Sequence, residues 1–146
     1  MNAIELAATL CRRFEGFYPR PYLCPAGVPT IGYGATYYET GVAVTLQDPP
    51  ITRERAEELL MWMLRTKYAA AVRRQCPVID GGSRVAAIID FAFNLGEGAL
   101  SASTLRRRIN AERWDAVPTE LRRWVYAGST RLQGLVSRRE AEVALV

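Results

Sequence analysis

Apolar residues recur at helical spacing at the start of the chain and form a stripe made of Ile4, Leu6, Ala7, Leu10 and Cys11. Asn2 precedes this stripe and belongs to a residue type that caps helices well. Gly16 follows it and belongs to a type that often ends helices. The pattern therefore predicts a first helix that ends before Gly16.

The helical spacing then disappears, and residues 16–50 are rich in proline and glycine. Two short β-prone pieces, "PYLC" (21–24) and "PTIGYG" (29–34), flank a Pro-Ala-Gly turn and predict a β-hairpin. A third short strand is predicted from Val42 to Leu46.

Helical patterning returns at residue 52 and continues to the end of the chain. Thr52 is predicted to cap a long helix that Pro77 stops, and at ~35 Å this helix could connect two lobes. The segment "SRVAAIIDFAFNLG" (83–96) is apolar nearly all round and predicts a buried central helix. Shorter amphipathic helices are predicted at 103–114, 116–128 and 137–145.

These elements predict an α+β protein of one domain, since 146 residues fit one compact domain with a sizeable core. The N-terminal helix and the small sheet occupy residues 1–51, and the connecting helix occupies 52–76. A mainly helical lobe occupies 77–146.

Composition removes several classes of site. The chain has no histidine, which excludes a His general base, a Ser/His triad and His-bearing metal sites. Its cysteines, Cys11, Cys24 and Cys76, are too few and too scattered for a zinc site, and their odd number fits a reducing compartment. We therefore expect no metal and no cofactor.

The net charge is +4, and only one of the 19 basic residues, Lys67, is a lysine. An Arg-rich surface can attract anionic polymers such as nucleic acid or the bacterial envelope. The alternative is that arginine simply replaces lysine in a chain from a GC-rich genome.

No segment has the pattern of a targeting signal or a membrane span. The first eleven residues lack a basic n-region, and the most apolar run, Val85 to Leu95, is interrupted by Asp90 and is too short to cross a bilayer. We expect a soluble, untargeted chain.

The candidate chemistry lies where the first helix gives way to the hairpin. Glu15 lies among aromatic residues, and an apolar setting disfavours the charged form of an acid, which suits a general acid. Cys24 and Thr30 follow on the two arms of the hairpin, which should bring them close together. Each residue also has a purely structural alternative. Glu15 could be a solvated carboxylate at a helix end, Cys24 an inert thiol, and Thr30 simply a good strand former.

Several motifs in order resemble the phage-type lysozymes, the endolysins of glycoside hydrolase family 24. They are "FEGF", "PTIGYG", "FNLG", "STLRRRIN", "RWDA" and "GLVSRREAE", which run from Phe14 to about Glu142. The resemblance implies a lysozyme-like fold of two lobes with a cleft between them. It also implies a Glu-Cys-Thr variant of the family's catalytic triad.

Residue by residue, the resemblance implies that Glu15 protonates the glycosidic oxygen and that Thr30 helps to place the attacking water. Residues expected to contact or line the glycan site are Gly32, Gly34, Phe93, Asn94 and Thr104. For Phe93, a role in the core is an equal alternative. Arg138 matches the arginine that pairs with the catalytic glutamate, although Arg139 is adjacent.

Cys24 stands where many family members have aspartate and a minority have cysteine. We hypothesise that Cys24 orients water, or as thiolate stabilises positive charge at the anomeric carbon, with covalent attack less favoured. A nearby Glu15 carboxylate is expected to raise the pKa of this thiol. A Cys11–Cys24 bridge would block the site, but three reduced thiols are the favoured state.

The function implied is an endolysin, a muramidase that cuts the β-1,4 bond between N-acetylmuramic acid and N-acetylglucosamine in peptidoglycan. The alternative is a catalytically inactive wall-binding or phage structural module of the same fold; a nucleic-acid binder is disfavoured because no binding motif appears. We expect a monomer that neither binds nucleic acid nor inserts into membranes. It should stay in the host cytoplasm until a holin-type pore releases it, although some family members carry N-terminal signal-arrest anchors.

Overall fold

The first helix, α1 (Ala3–Glu15), has the predicted bounds in the computed structural model, which describes all 146 residues. Asn2 and Glu5 form a reciprocal capping box: the Glu5 N–H donates to Asn2 at 2.9 Å, and the Asn2 N–H donates to Glu5 at 3.0 Å. Gly16 ends the helix at φ +74°, a conformation that favours glycine. Glu15 is therefore the last helical residue and is held at the start of the loop.

The predicted hairpin is confirmed as β1 (Tyr18–Leu23) paired antiparallel with β2 (Pro29–Gly32). Tyr22 lies opposite Thr30, and the ladder is irregular between Tyr18 and Tyr22. The turn is closed by two backbone hydrogen bonds, from the Cys24 N–H to Val28 at 3.0 Å and from the Gly27 N–H to Cys24 at 2.8 Å. Cys24 and Thr30 thus lie on either side of one tight turn.

The third strand predicted from Val42 to Leu46 is wrong. This segment forms only one isolated bridge, between Tyr37 and Ala43. Asp48 accepts hydrogen bonds from both the N–H and the hydroxyl of Thr45, at 3.0 and 2.7 Å. Such local side-chain bonds compete with a strand ladder, and the pairing does not continue beyond this bridge into a regular strand.

The connecting helix is continuous but not regular. It consists of α2 (Arg53–Met63), a π-helical turn (Leu64–Tyr68) and α3 (Ala69–Gln75). Thr52 caps it by accepting from the Arg55 N–H at 3.1 Å, as predicted, and it ends just before Pro77. The π-helical turn adds one residue to a helical turn, which apolar periodicity alone did not indicate.

The helical lobe is built around α4 (Gly82–Leu95), the predicted central helix, in which every residue from Ala86 to Ala92 is buried. Around it lie α5 (Glu97–Ala102), α6 (Thr104–Asn110), α7 (Val117–Leu121) and α8 (Gln133–Val143). A short hairpin, β3 (Tyr126–Ala127) with β4 (Thr130–Arg131), precedes α8.

The helix predicted over 116–128 is wrong in its second half. Helix α7 stops at Leu121, and the chain turns into the β3–β4 hairpin through Gly128, whose φ of +62° a helix does not allow. Helix α5 was not predicted, because its six residues show too little periodicity.

One cluster of 25 buried residues forms a single core that includes Ile31 of the hairpin, Leu60 of α2 and Ile88 of α4. The α+β class is therefore confirmed, and α1 and the hairpin are fixed on the same core as α4. No helix has the length and apolar character that crossing a membrane requires.

Candidate active site

Glu15 and Arg138 form an ion pair that joins the end of α1 to α8. Arg138 Nη1 donates to Glu15 Oε2 at 2.9 Å. The side chain of Glu15 keeps 25% of its surface exposed, whereas that of Arg138 keeps 4%. The structure thus places Arg138, and not its neighbour Arg139, beside the predicted acid, and leaves one face of the carboxyl group open.

Arg138 is itself held by Asp90, a residue that sequence reasoning missed. Arg138 Nε and Nη2 donate to the two oxygens of Asp90 at 2.9 and 2.8 Å, which is a bidentate pair with no exposed carboxylate surface. Burial alone would raise the pKa of Asp90, but the hydrogen bonds and charge of Arg138 hold it below its ordinary value. The sequence did contain a signal for this role: Asp90 is the one acid inside the most apolar run, Val85 to Leu95, and a buried acid needs a charged partner.

A second buried pair lies behind the first. Arg139 Nη2 donates to Glu142 at 2.8 Å and to the Asn94 side chain at 2.7 Å. Burial raises the pKa of Glu142 well above its ordinary value, and a hydrogen bond to Asp90 adds to this. The two arginines and two acids of this buried cluster join α4 to α8.

Cys24 lies at the hairpin turn, close to the backbone N–H groups of the turn and to the Thr30 side chain. Donation from the Val28 backbone is the largest cause that lowers the pKa of the Cys24 thiol, followed by the Ala26 backbone and the Thr30 side chain. The expectation that Glu15 raises this pKa is wrong, because the turn's N–H groups stabilise the thiolate. Cys24 can therefore carry negative charge more easily than an ordinary thiol.

Thr30 is buried beside Cys24, and its hydroxyl donates to the Val28 carbonyl at 2.9 Å. Tyr22, opposite Thr30 on β1, lies close enough to Glu15 and Cys24 to feel both charges: burial, then Glu15, Tyr18 and Cys24, raise the pKa of its phenol. Tyr22 therefore links the two ends of the candidate site and remains a neutral hydroxyl donor. From the sequence it counted only as one of the aromatic residues around Glu15.

All three cysteines are free. Cys11 is buried, and its thiol donates to Asp90 at 3.4 Å instead of facing Cys24. Burial, followed by the charge of Asp90, raises the pKa of Cys11 well above its ordinary value, so it is an inert partner of the arginine cluster.

Gly34 lies directly against the carboxyl group of Glu15. A Cβ atom at this position would lie 3.4 Å from Glu15 Oε1 and 3.6 Å from Phe93 Cζ, and the φ of Gly34 is +92°. Gly32 differs, because a Cβ there would meet Ala56 on α2 at 3.2 Å. Gly34 therefore lies in the candidate site beside Glu15. At Gly32, a side chain is disfavoured by close packing against α2.

One cavity is lined by Glu15, and a second begins at its neighbour Gly34. The first, of about 460 Å³, is lined by Glu15, Arg138, Asn94 and the start of α8. The other, of about 260 Å³, is lined by Gly34, which lies against both Glu15 and Phe93. An extended ligand could therefore pass over the exposed face of Glu15.

Thr104 does not line either of the cavities near Glu15. It lines a separate cavity of about 360 Å³ with Glu120 and Trp124, and its hydroxyl accepts from Arg107 at 2.9 Å. The expected contact between Thr104 and substrate stays a prediction. No group of three Cys, Asp or Glu side chains is arranged to hold a metal ion.

Comparison with known proteins identifies the family to which the chain belongs. A sequence model described as phage lysozyme matches residues 12–142. The chain is 32% identical to an endolysin of Acyrthosiphon pisum secondary endosymbiont phage 1, covering 99% of this chain and 97% of that protein. It is 34% identical to a SAR-endolysin of bacteriophage PS34, covering 88% and 73%. The endolysin from Escherichia coli O157:H7 phage FAHEc1 superposes with a TM-score of 0.85 at 28% identity, covering 99% and 92%.

Proposed function

The chain belongs to the phage lysozyme family and is a glycoside hydrolase that attacks peptidoglycan, and we propose that Glu15, Cys24 and Thr30 carry its reaction. The bond cut is the β-1,4 linkage between N-acetylmuramic acid and N-acetylglucosamine. The observation that supports this best is the partly exposed carboxyl group of Glu15, which is anchored by Arg138 and lines a cavity of about 460 Å³.

Glu15 acts as the general acid. Its proton passes to the glycosidic oxygen while the bond from that oxygen to the anomeric carbon breaks. Water adds to the anomeric carbon, and the proton that this water loses returns to Glu15 through solvent. Arg138 holds the carboxyl group in place but, because two of its donors serve Asp90, gives Glu15 only one short contact.

Cys24 acts as thiolate and stabilises the positive charge that develops at the anomeric carbon. The donors that lower its pKa favour the thiolate form. Thr30, directly opposite Tyr22, helps to place the attacking water. Covalent attack by the sulfur is the less favoured route, because a charge-stabilising role needs no change in the tight turn.

The glycan passes along the Gly34 side and the Asn94 side of Glu15. Phe93 presents its ring edge to this path, and Asn94 is oriented by the hydrogen bond from Arg139. Both residues are half-buried, which combines packing with access to the cleft.

Release of reducing ends from purified peptidoglycan tests the assignment of Glu15. We expect Glu15→Gln to lose activity by about 10²-fold or more while keeping its fold, because an amide of the same shape cannot give up a proton. If Glu15→Gln releases reducing ends as fast as the wild type, the proposed role of Glu15 is wrong. Binding of both proteins to walls without any release would favour an inactive wall-binding module.

The place of action is proposed as the host cell wall, reached from the cytoplasm through a holin-type pore by a monomeric enzyme. The alternative route is export through an N-terminal signal-arrest anchor, because one relative is named as a SAR-endolysin. Fractionation of host cells that express the chain without a holin separates the two.

A further inference from the structure

The cavity of about 260 Å³ beside Gly34 has features that the reaction at Glu15 does not use. Its aromatic and cationic side chains are Tyr37, Tyr38, Trp62, Lys67 and Tyr68. It is joined to the site, because Gly34 lies against Glu15 and the Tyr68 ring packs edge-on against Phe93 with centroids 5.1 Å apart. A substrate bound at Glu15 can therefore extend into it.

The π-helical turn, Leu64–Tyr68, shapes this cavity. In a regular α-helix, residues five apart, such as Trp62 and Lys67, point about 140° away from each other. The i→i+5 bonds of a π turn bring such residues closer to one face, and π turns occur frequently at functional sites. Trp62, Lys67 and Tyr68 consequently line one cavity together.

Lys67 has no acidic partner in the fold. It is the only lysine of the chain, is exposed and takes part in no ion pair, and its ammonium lies 5.2 Å from the centroid of the Tyr68 ring. No acidic residue lines the cavity. Burial raises the pKa of Tyr68, which leaves that hydroxyl neutral and able to donate.

We propose that this cavity is a carboxylate-recognition subsite of the glycan cleft. The aromatic wall contacts a sugar ring, and Lys67 pairs with a carboxylate carried by a substituent of that sugar. This rests on the proposed function, because peptidoglycan bears free carboxylates on the peptides that are amide-linked to the lactyl groups of its glycan. Lys67 thus selects acidic glycan over neutral glycan of the same backbone.

The test measures kcat and KM for release of reducing ends from three forms of the same purified walls. The first is untreated, the second has its carboxylates converted to neutral amides, and the third has its peptides removed by an amidase, which leaves a free lactyl carboxylate. The variants are Lys67→Gln, Lys67→Arg and the control Arg65→Gln, which removes an exposed charge from the same turn but outside the cavity.

We expect Lys67→Gln to raise KM on untreated walls by about two- to fivefold, the effect of one partly exposed ion pair, with kcat nearly unchanged. Lys67→Arg and Arg65→Gln should behave as the wild type. On amidated walls the difference between wild type and Lys67→Gln should vanish. Because the lactyl carboxyl group is amide-linked in untreated walls, the difference there reports pairing with a peptide carboxylate. A difference that remains on peptide-free strands shows that Lys67 also accepts the lactyl carboxylate that the amidase frees.

The proposal is overturned if Lys67→Gln matches Arg65→Gln on untreated walls, or if its deficit is the same on amidated walls. Because Lys67 is exposed, equal thermal unfolding of all variants will show that folding is unaffected. Failure of the wild type to release reducing ends from any of the walls would instead refute the proposed function.

Discussion

Cys24 is the residue at which this site departs most from a two-carboxylate glycosidase. The turn that holds it lowers the pKa of its thiol chiefly through the Val28 backbone, so a larger thiolate fraction exists at neutral pH than for an ordinary cysteine. A thiolate and a carboxylate both present negative charge to the sugar, and this shared charge explains how the two residue types could serve at one position.

Substitution of Cys24 tests that idea. We expect Cys24→Ser to lower kcat by about 10²-fold, because the hydroxyl stays neutral, and Cys24→Asp to keep most of the activity. Alkylation of wild-type Cys24 by iodoacetamide should have its pH midpoint below the ordinary thiol value of 9.0. Full activity in Cys24→Ser would exclude an essential role for the thiol.

The part of the candidate site that could be predicted from sequence consists of residues that lie close together along the chain. Glu15, Cys24 and Thr30 lie on one helix end and one hairpin, so short-range spacing was enough to group them. Arg138 could be named only with Arg139 as an alternative, because one helical step separates two identical side chains. The bidentate contact with Asp90 distinguishes them, and this contact joins residues 48 positions apart.

At the scale of elements, α4 and α8 are joined through the buried charges. Asp90 lies on α4, whereas Arg138, Arg139 and Glu142 lie on α8. Because α1 ends at Glu15, the same charges also fix the end of α1. The helices themselves could be predicted from their apolar faces, whereas this polar contact between them could not.

Removing the charge of Asp90 should therefore weaken the whole junction. We expect Asp90→Asn to lower the free energy of unfolding by about 3 kcal/mol, because Arg138 loses its buried bidentate partner. Urea unfolding measures this, with Asp115→Asn, in an exposed pair with Arg113, as the control that should change little. Equal midpoints for the two variants would show that the buried pair contributes nothing.

Glu142 gives the junction a pH dependence of opposite sign to that of the usual carboxylate. Burial, aided by Asp90, raises its pKa well above the ordinary value of 4.5. The folded protein therefore keeps a proton that the unfolded chain releases above pH 4.5. The stabilisation is complete below that pH and is lost as the pH rises toward the folded-state pKa.

Glu142→Gln should remove this loss, since the amide resembles the protonated acid and still meets Arg139. We expect the melting temperature of the variant to exceed that of the wild type by a few degrees at pH 8 and to approach it near pH 4.5. Thermal scans across this range measure the difference. A constant offset at every pH would mean that Glu142 does not titrate on unfolding.

At the scale of the whole molecule, the chain is a cationic enzyme whose insoluble substrate carries many carboxylates. Its net charge is +4, and 18 of its 19 basic residues are arginines. Much of this charge is not available for attraction, because Arg138 and Arg139 are buried and others, such as Arg55 and Arg122, pair with carboxylates. The remaining surface charge acts at long range, where salt screens it over about 10 Å at 0.1 M.

Salt should therefore slow the association of the enzyme with the wall, and it should leave the chemical step and the stability of the fold unchanged. Between 20 and 500 mM NaCl, we expect the initial rate on purified walls at low substrate to fall by about tenfold, while kcat at saturating substrate changes little. Walls with amidated carboxylates provide the control, since a neutral substrate gives the surface charge nothing to attract. Unchanged melting temperatures over this range would exclude loss of the buried ion pairs, which are screened far less than exposed charges. If the rate on amidated walls falls as steeply, the salt acts on the enzyme itself, and the net charge has no part in finding the wall.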